Sequence, residues 1–196
     1  MTALPDISGV PHPPTWQLHP RRWFGRFVVR RRVEVREHGA ANVPVDGPVI
    51  VLANNAELDD RPLVALFGPR PVLAVGPDDG SAAPGVMKTC LRVLADGHVL
   101  GLYPEHQRGA AYLALVSGAP VVPLTFLGAH QPRRGRLDLV YGTPYRTAAL
   151  AWPRTKKQVE ATALDLRVHM LVALDAARSL TGRQLPGPVP PAGGTS

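Results

Sequence analysis

A single cysteine occurs in the chain, and no apolar run reaches the length a bilayer span requires. One thiol excludes an internal disulfide framework, and Cys90, set in an apolar helical pattern, reads as a buried hydrophobe rather than a nucleophile. A reducing cytosol fits that count. The first residues, MTALPDISGVPHPP, lack the basic-then-apolar order of a secretory signal. Also missing are internal repeats, a Gly-rich phosphate loop and a serine elbow; Ser117 lies inside a helix pattern. His12, His19, His38, His98, His130 and His169 share no ligand spacing, so no metal is expected.

What is present is enough for one core. The chain has 196 residues, 45% of them hydrophobic, which suits a single domain. The net charge of +7 arises from 22 Lys and Arg against 15 Asp and Glu, and the excess is uneven. The stretch HPRRWFGRFVVRRR, residues 19–32, holds six arginines and no acid. Arg21, Arg22, Trp23, Phe24, Arg26 and Phe27 there have the mixture that meets an anionic membrane surface, with aromatic rings in the interface and guanidinium groups on headgroups. A helix that packs its apolar side on the core accounts for the same pattern. Nucleic acid is the third option, disfavoured because no nucleic-acid motif follows. Arg133, Arg134 and Arg136 form a second basic cluster, read as a solvated loop or a lipid-facing rim.

Along the chain, apolar strand-length runs alternate with helical periodicity. Residues 1–18 are Pro-rich and irregular, 19–182 form the domain, and 183–196 read as a disordered Pro/Gly tail. Strands are expected at Arg32–Glu37, Pro48–Ala53, Pro71–Val75, His98–Tyr103, Val121–Leu127 and Arg136–Tyr141, the last alternating and therefore placed at a sheet edge. Helices are expected from about Leu58 to Gly68, from a Ser81 cap to Gly97, over Arg108–Ser117, and from Thr155 to about Leu180. In the last, Val159, Leu164, Val168, Leu171 and Leu174 form the apolar stripe. The alternation predicts an α/β single-domain sandwich with a mostly parallel central sheet flanked by helices. Ligands in such sheets collect at the carboxyl ends of strands. Two of those ends are conspicuously polar: Asn54–Asp60 and Glu105–Arg108.

Several segments together resemble the glycerolipid acyltransferases of the lysophosphatidate acyltransferase (PlsC-like) family. VEVREHGAANVPVDGPVIVLAN looks like the family's lead-in strand, turn and second strand. LYPEHQR is similar to the family's F-P-E-G-T-R motif, RGAAYLALVSGAPVVPLTF to the helix and strand behind it, and LDLVYGTPY to a later strand with Gly-x-Pro. The likeness covers roughly residues 33–146. It implies transfer of an acyl group from an acyl-CoA or acyl-carrier-protein thioester to a lysophospholipid acceptor of the lysophosphatidate type, with no further cofactor. In the family's N-H-x4-D motif the histidine removes the hydroxyl proton and the aspartate orients the ring.

Here Asn54 and Asp60 match that motif, but Asn55 stands where the histidine would be. A carboxamide nitrogen has no usable lone pair, so Asn55 cannot serve as the base. Asp60 retains the motif register or makes a structural hydrogen bond. Glu57 and Asp59 are read as helix-start carboxylates. AVGPDDGS replaces the family's second, arginine-bearing motif, and the interval between the first and third motifs is short. In the third motif Glu105 and Arg108 match, the resemblance giving Arg108 a phosphate contact; a pair with Glu105 is the alternative. His106 and Gln107 replace the family's Gly and Thr. His106 is the best placed substitute base, and otherwise an exposed or capping histidine. The expectation is an acyltransferase of phospholipid metabolism or a catalytically degenerate descendant, cytoplasmic and peripheral on the inner face of the membrane.

Overall fold

The computed structural model describes residues 7–10, 22–54, 61–75, 84–128, 135–151 and 153–183. Its strands are β1 (Glu34–His38), β2 (Val49–Ala53), β3 (Val72–Ala74), β4 (Val99–Leu102), β5 (Val121–Leu127) and β6 (Arg136–Tyr141), in the spatial order β1-β6-β5-β2-β4-β3. The pairings β3–β4, β4–β2 and β2–β5 are parallel, as is β1–β6, while β5–β6 is antiparallel. The sheet is therefore mixed but mostly parallel. Its central strands are buried along their whole length, which is why VIVLA and VVPLTFL are continuous apolar runs rather than alternating ones.

Helices cover both faces. α1 (Arg22–Arg32) and α2 (Arg61–Phe67) lie on one side, where Val29, Val64 and Phe67 pack with Val51, Val99, Leu124 and Tyr141. α3 (Pro84–Ala95), α4 (Gln107–Ser117) and α5 (Lys156–Thr181) lie on the other, where Cys90, Leu94, Leu113 and Leu166 meet Ile50, Leu52 and Leu100. This three-layer arrangement matches the expected α/β sandwich. Gly101 in β4 permits the close approach of α2: a Cβ there would lie 2.9 Å from Val72 Cγ1 and 3.1 Å from Val64 Cγ1.

α5 is well delimited. Thr155 and Gln158 form a capping box, the Gln158 amide donating to Thr155 Oγ1 at 3.2 Å and the Thr155 amide to Gln158 Oε1 at 2.8 Å. Gly182, at φ 68°, ends the helix in the left-handed conformation that glycine adopts without strain. No helix among the described residues is long and apolar enough to cross a membrane.

Two expectations are corrected. β6 is not an edge strand, because β1 pairs outside it; the edges are β1 and β3. Its alternation reflects Asp138, which is fully buried and held by ion pairs rather than facing solvent. The apolar stripe of α5 is also different: Ala163, Leu166 and Ala177 are the buried positions, whereas Leu164, Val168 and Leu171 are more than half exposed. The Pro-rich residues 11–18, the tail from 184, the PDDGS turn and the Ser81 cap lie outside the described residues.

Candidate functional site

The carboxyl ends of β2 and β4 lie side by side, because the two strands are parallel neighbours. An apolar cavity of about 150 Å³ opens there. Leu52, Ala53 and Asn54 at the end of β2 form one wall, and Pro104 and Gln107 after β4 form another. Arg167, Met170, Leu171 and Leu174 of α5 make the roof. A cavity of this size holds an apolar group as large as a benzene ring.

Asn54, expected to bind substrate, is committed to the sheet. Its amide donates to Leu124 O at 3.0 Å, and its side-chain Oδ1 accepts from the Phe126 amide at 2.8 Å. It thereby extends the β2–β5 ladder by one residue while also lining the cavity. Asn55, Glu57, Asp59 and Asp60 lie outside the described residues, in the segment that continues directly from this wall.

After β4 the chain tightens into a 3-10 turn, Pro104–His106, started by a proline whose fixed φ suits that position. The turn brings His106 inward: it is 5% exposed, and its side chain makes no cap hydrogen bond to α4. It is thus neither the exposed nor the capping histidine that the sequence suggested. It is not among the residues lining the cavity. Of Glu105 only the backbone, within this turn, is described.

The next two residues tie α4 to the roof. Gln107 Nε2 donates to the Ala163 carbonyl at 3.0 Å, and Arg108 Nη2 pairs with Glu160 Oε1 at 3.1 Å. Arg108 is 67% exposed, and its partner is one that the sequence reading did not name. An exposed pair of this kind contributes at most about 1 kcal/mol, so an anion of higher charge than a carboxylate could displace Glu160 from it.

Most of the lining was not legible in advance. Arg167 and Met170 carry no sequence signal of a site, Gln107 stands out only as a replacement within the third motif, and Leu171 and Leu174 read as part of the apolar stripe of the last helix. The available signal was a long terminal helix with more apolar positions than one face can use.

The membrane-contact segment divides. Arg21 lies outside the described residues, and Arg22, Trp23 and Phe24 are described only as backbone of α1. Arg26 is drawn into the fold: its guanidinium donates to the carbonyls of Leu66 and Gly68 and stacks 5.7 Å from the Phe67 ring centroid. Phe27 is exposed, with Arg31 over its ring at 5.1 Å. His130, Arg133 and Arg134 lie outside the described residues.

A second polar cluster emerges at Asp138. His38 Nε2 lies 2.9 Å from Oδ1, Arg136 Nη2 2.8 Å from the same oxygen, and Arg183 Nε 3.1 Å from Oδ2. Burial alone would raise the Asp138 pKa, but hydrogen bonds from Arg136 and His38 and the charges of Arg136 and Arg183 hold it below the ordinary carboxylate range. Burial pushes the Cys90 thiol up to about 11, the behaviour of a packed side chain rather than a nucleophile. Among the described residues no three His, Cys, Asp or Glu converge as a metal cage.

Fold and pocket together define a three-layer α/β protein with an apolar cavity at the carboxyl edge of its parallel strands, roofed by its last described helix. No family model matches the chain. It is 27% identical over 109 residues to the 1-acyl-sn-glycerol-3-phosphate acyltransferase of Bacillus subtilis (strain 168), covering 48% of this chain and 55% of that protein. The match thus spans about half the length of that relative. The fold is similar to the crystal structure of the 1-acyl-sn-glycerophosphate (LPA) acyltransferase PlsC from Thermotoga maritima, with a TM-score of 0.55 and 18% identity, covering 81% of this chain and 80% of that one. Over about half its length in sequence, and in fold, the chain is similar to these acylglycerophosphate acyltransferases.

Proposed function

We propose that this protein binds an apolar segment of the acyl chain of an acyl thioester, or of a lysophospholipid acceptor, in the cavity under α5, and that its acyl transfer is slow. The observation that carries the reading is the cavity itself: its walls are mainly apolar, it sits at the ligand-collecting edge of the sheet, and it opens beside the strand that runs into Asn54 and Asn55. Arg167 at its wall and Arg108 nearby supply cations for a phosphate on either ligand. None of the described lining residues is a group that can take a proton near neutral pH. With an asparagine in the motif's histidine position, the hydroxyl of an acceptor lacks the base that the family's chemistry uses. General-base assistance is typically worth about a hundred- to ten-thousand-fold, so its loss leaves binding intact and turnover low.

Two measurements test this. Long-chain acyl-CoA should raise the melting temperature, and at about a hundredfold excess over Kd the stabilisation is about 2.7 kcal/mol. Met170→Trp, which fills the cavity, should abolish that shift. In an acyl-transfer assay with acyl-CoA and lysophosphatidate, wild type should be slow and Asn55→His faster by about a hundredfold or more. Fast wild-type turnover that His106→Ala abolishes would mean that the base has moved to His106 and would overturn the reading of low activity.

A further inference from the structure

The outer face of α5 carries an apolar stripe that no described residue covers. Leu164, Val168, Leu171 and Val172 are 63, 56, 53 and 62% exposed, Ala161 is exposed beside them, and Leu171 sits at the rim, where it also touches the cavity. The buried positions of the same helix, Ala163, Leu166 and Ala177, point to the opposite side. Ala161, Leu164, Val168 and Leu171 are separated by three, four and three residues. These three- and four-residue steps keep all four positions on one side of the helix, the pattern that a helix face presents to a packed neighbour.

The seam is bounded by charges of opposite sign. Continuing the same spacing reaches Lys157 at its N-terminal end and Asp175 at its C-terminal end, both exposed, Asp175 also pairing with Arg178 of its own helix at 3.3 Å. Suppose two copies of the helix are laid antiparallel about a two-fold axis at the level of Leu166. Leu164 then faces Val168 of the second copy, Ala161 faces Leu171, and Lys157 faces Asp175. Each apolar residue meets an apolar residue and each terminal charge meets its opposite, twice over because the axis repeats every contact. A parallel pairing would set Lys157 against Lys157 and Asp175 against Asp175.

We infer that this face of α5 is a self-association surface, joining two copies of the chain through an antiparallel helix pair. Its occupant is a second copy rather than a lipid surface, because Asp175 and Asp165 lie on or beside the seam and are poorly suited to an anionic headgroup layer. The seam spans about 27 Å and a helix about 10 Å across, which together cover roughly 300 Å² per copy. A standard stable interface needs about 800 Å² per partner, so the association is weak and concentration-dependent. Arg167 and Asp165, each near its own counterpart across the axis, further limit the affinity.

Sedimentation velocity of the full chain, from about 10 µM to about 1 mM, reads the equilibrium directly. The expected result is a reversible monomer–dimer mixture. Val168→Glu should abolish the dimer. Lys157→Glu and Asp175→Lys should each weaken it by about tenfold, since each places two like-charged pairs across the axis. The double variant, which swaps both charges, should restore the wild-type constant; all these positions are exposed, and circular dichroism checks the fold. A chain that stays monomeric at the highest concentration would overturn the inference. So would a dimer that tolerates Val168→Glu, a double variant as weak as the single ones, or Val168-dependent binding to phosphatidylglycerol vesicles by a monomer.

Discussion

Asp138 shows how one side chain can contradict its sequence context. It sits on a strand whose alternation suits a sheet edge, yet its side chain is fully buried with three cationic or hydrogen-donating partners from residues 38, 136 and 183. A buried carboxylate survives only when paired in this way, and removing it strands its partners. Its depressed pKa carries a consequence for stability. The unfolded carboxylate titrates near the ordinary value, about 3.9, and the folded one lower, so the contribution is fully present above that pH and is lost as pH falls through the folded value. Asp138→Asn should lower the unfolding free energy at pH 7 by about 3 kcal/mol, the low end for a broken buried pair because the arginines still reach solvent. The difference between variant and wild type should shrink as the solution is acidified below about pH 4, measured by urea unfolding at each pH. A constant difference across that range would show that the carboxylate's charge is not what stabilises the fold.

Among the elements, β4 and α5 do the most to shape the site, and both depend on close contact. β4 ends at the cavity and, at Gly101, lets α2 approach to a distance that a methyl group would disturb. Gly101→Ala should cost about 1 to 3 kcal/mol by overpacking, read as a lower urea midpoint with an unchanged slope. An equal slope matters, because a changed one would mean that the substitution altered the compactness of a state rather than its packing. The strands were legible because burial on both faces forces continuous apolar runs of strand length, and a helix end was legible where Gly118 supplies a left-handed cap. α5 was legible as a helix but not in its orientation. It carries two apolar sides, one with Ala163 and Leu166 and one with Leu164 and Val168, and periodicity alone cannot choose which of two stripes meets the sheet. Packing chose the side with the smaller residues, which lets α5 lie close along α4 and over β5.

Across the whole molecule, the uncovered features lie on opposite faces of the sheet. α1, with exposed Phe27 and Val28, packs on the α2 side, and the exposed seam of α5 lies on the other. A membrane contact through α1 would therefore not compete with self-association through α5. Flotation with vesicles should show binding that requires anionic lipid and is lost at about 1 M salt, where charges are screened beyond about 3 Å. Binding indifferent to lipid charge would count against the α1 segment as the contact. The amino-acid sequence by itself determined the alternation of buried strands and helices, hence the α/β layers, and the identity of the side chain at position 55, because these follow from local periodicity and covalent structure. Only the tertiary structure decided that Asn54 pins β5, that His106 turns inward, that Arg108 pairs with Glu160, and that α5 roofs the cavity. Those contacts join residues about 50 to 120 positions apart in many cases, and which distant partner satisfies a polar group depends on three-dimensional packing that no local pattern encodes.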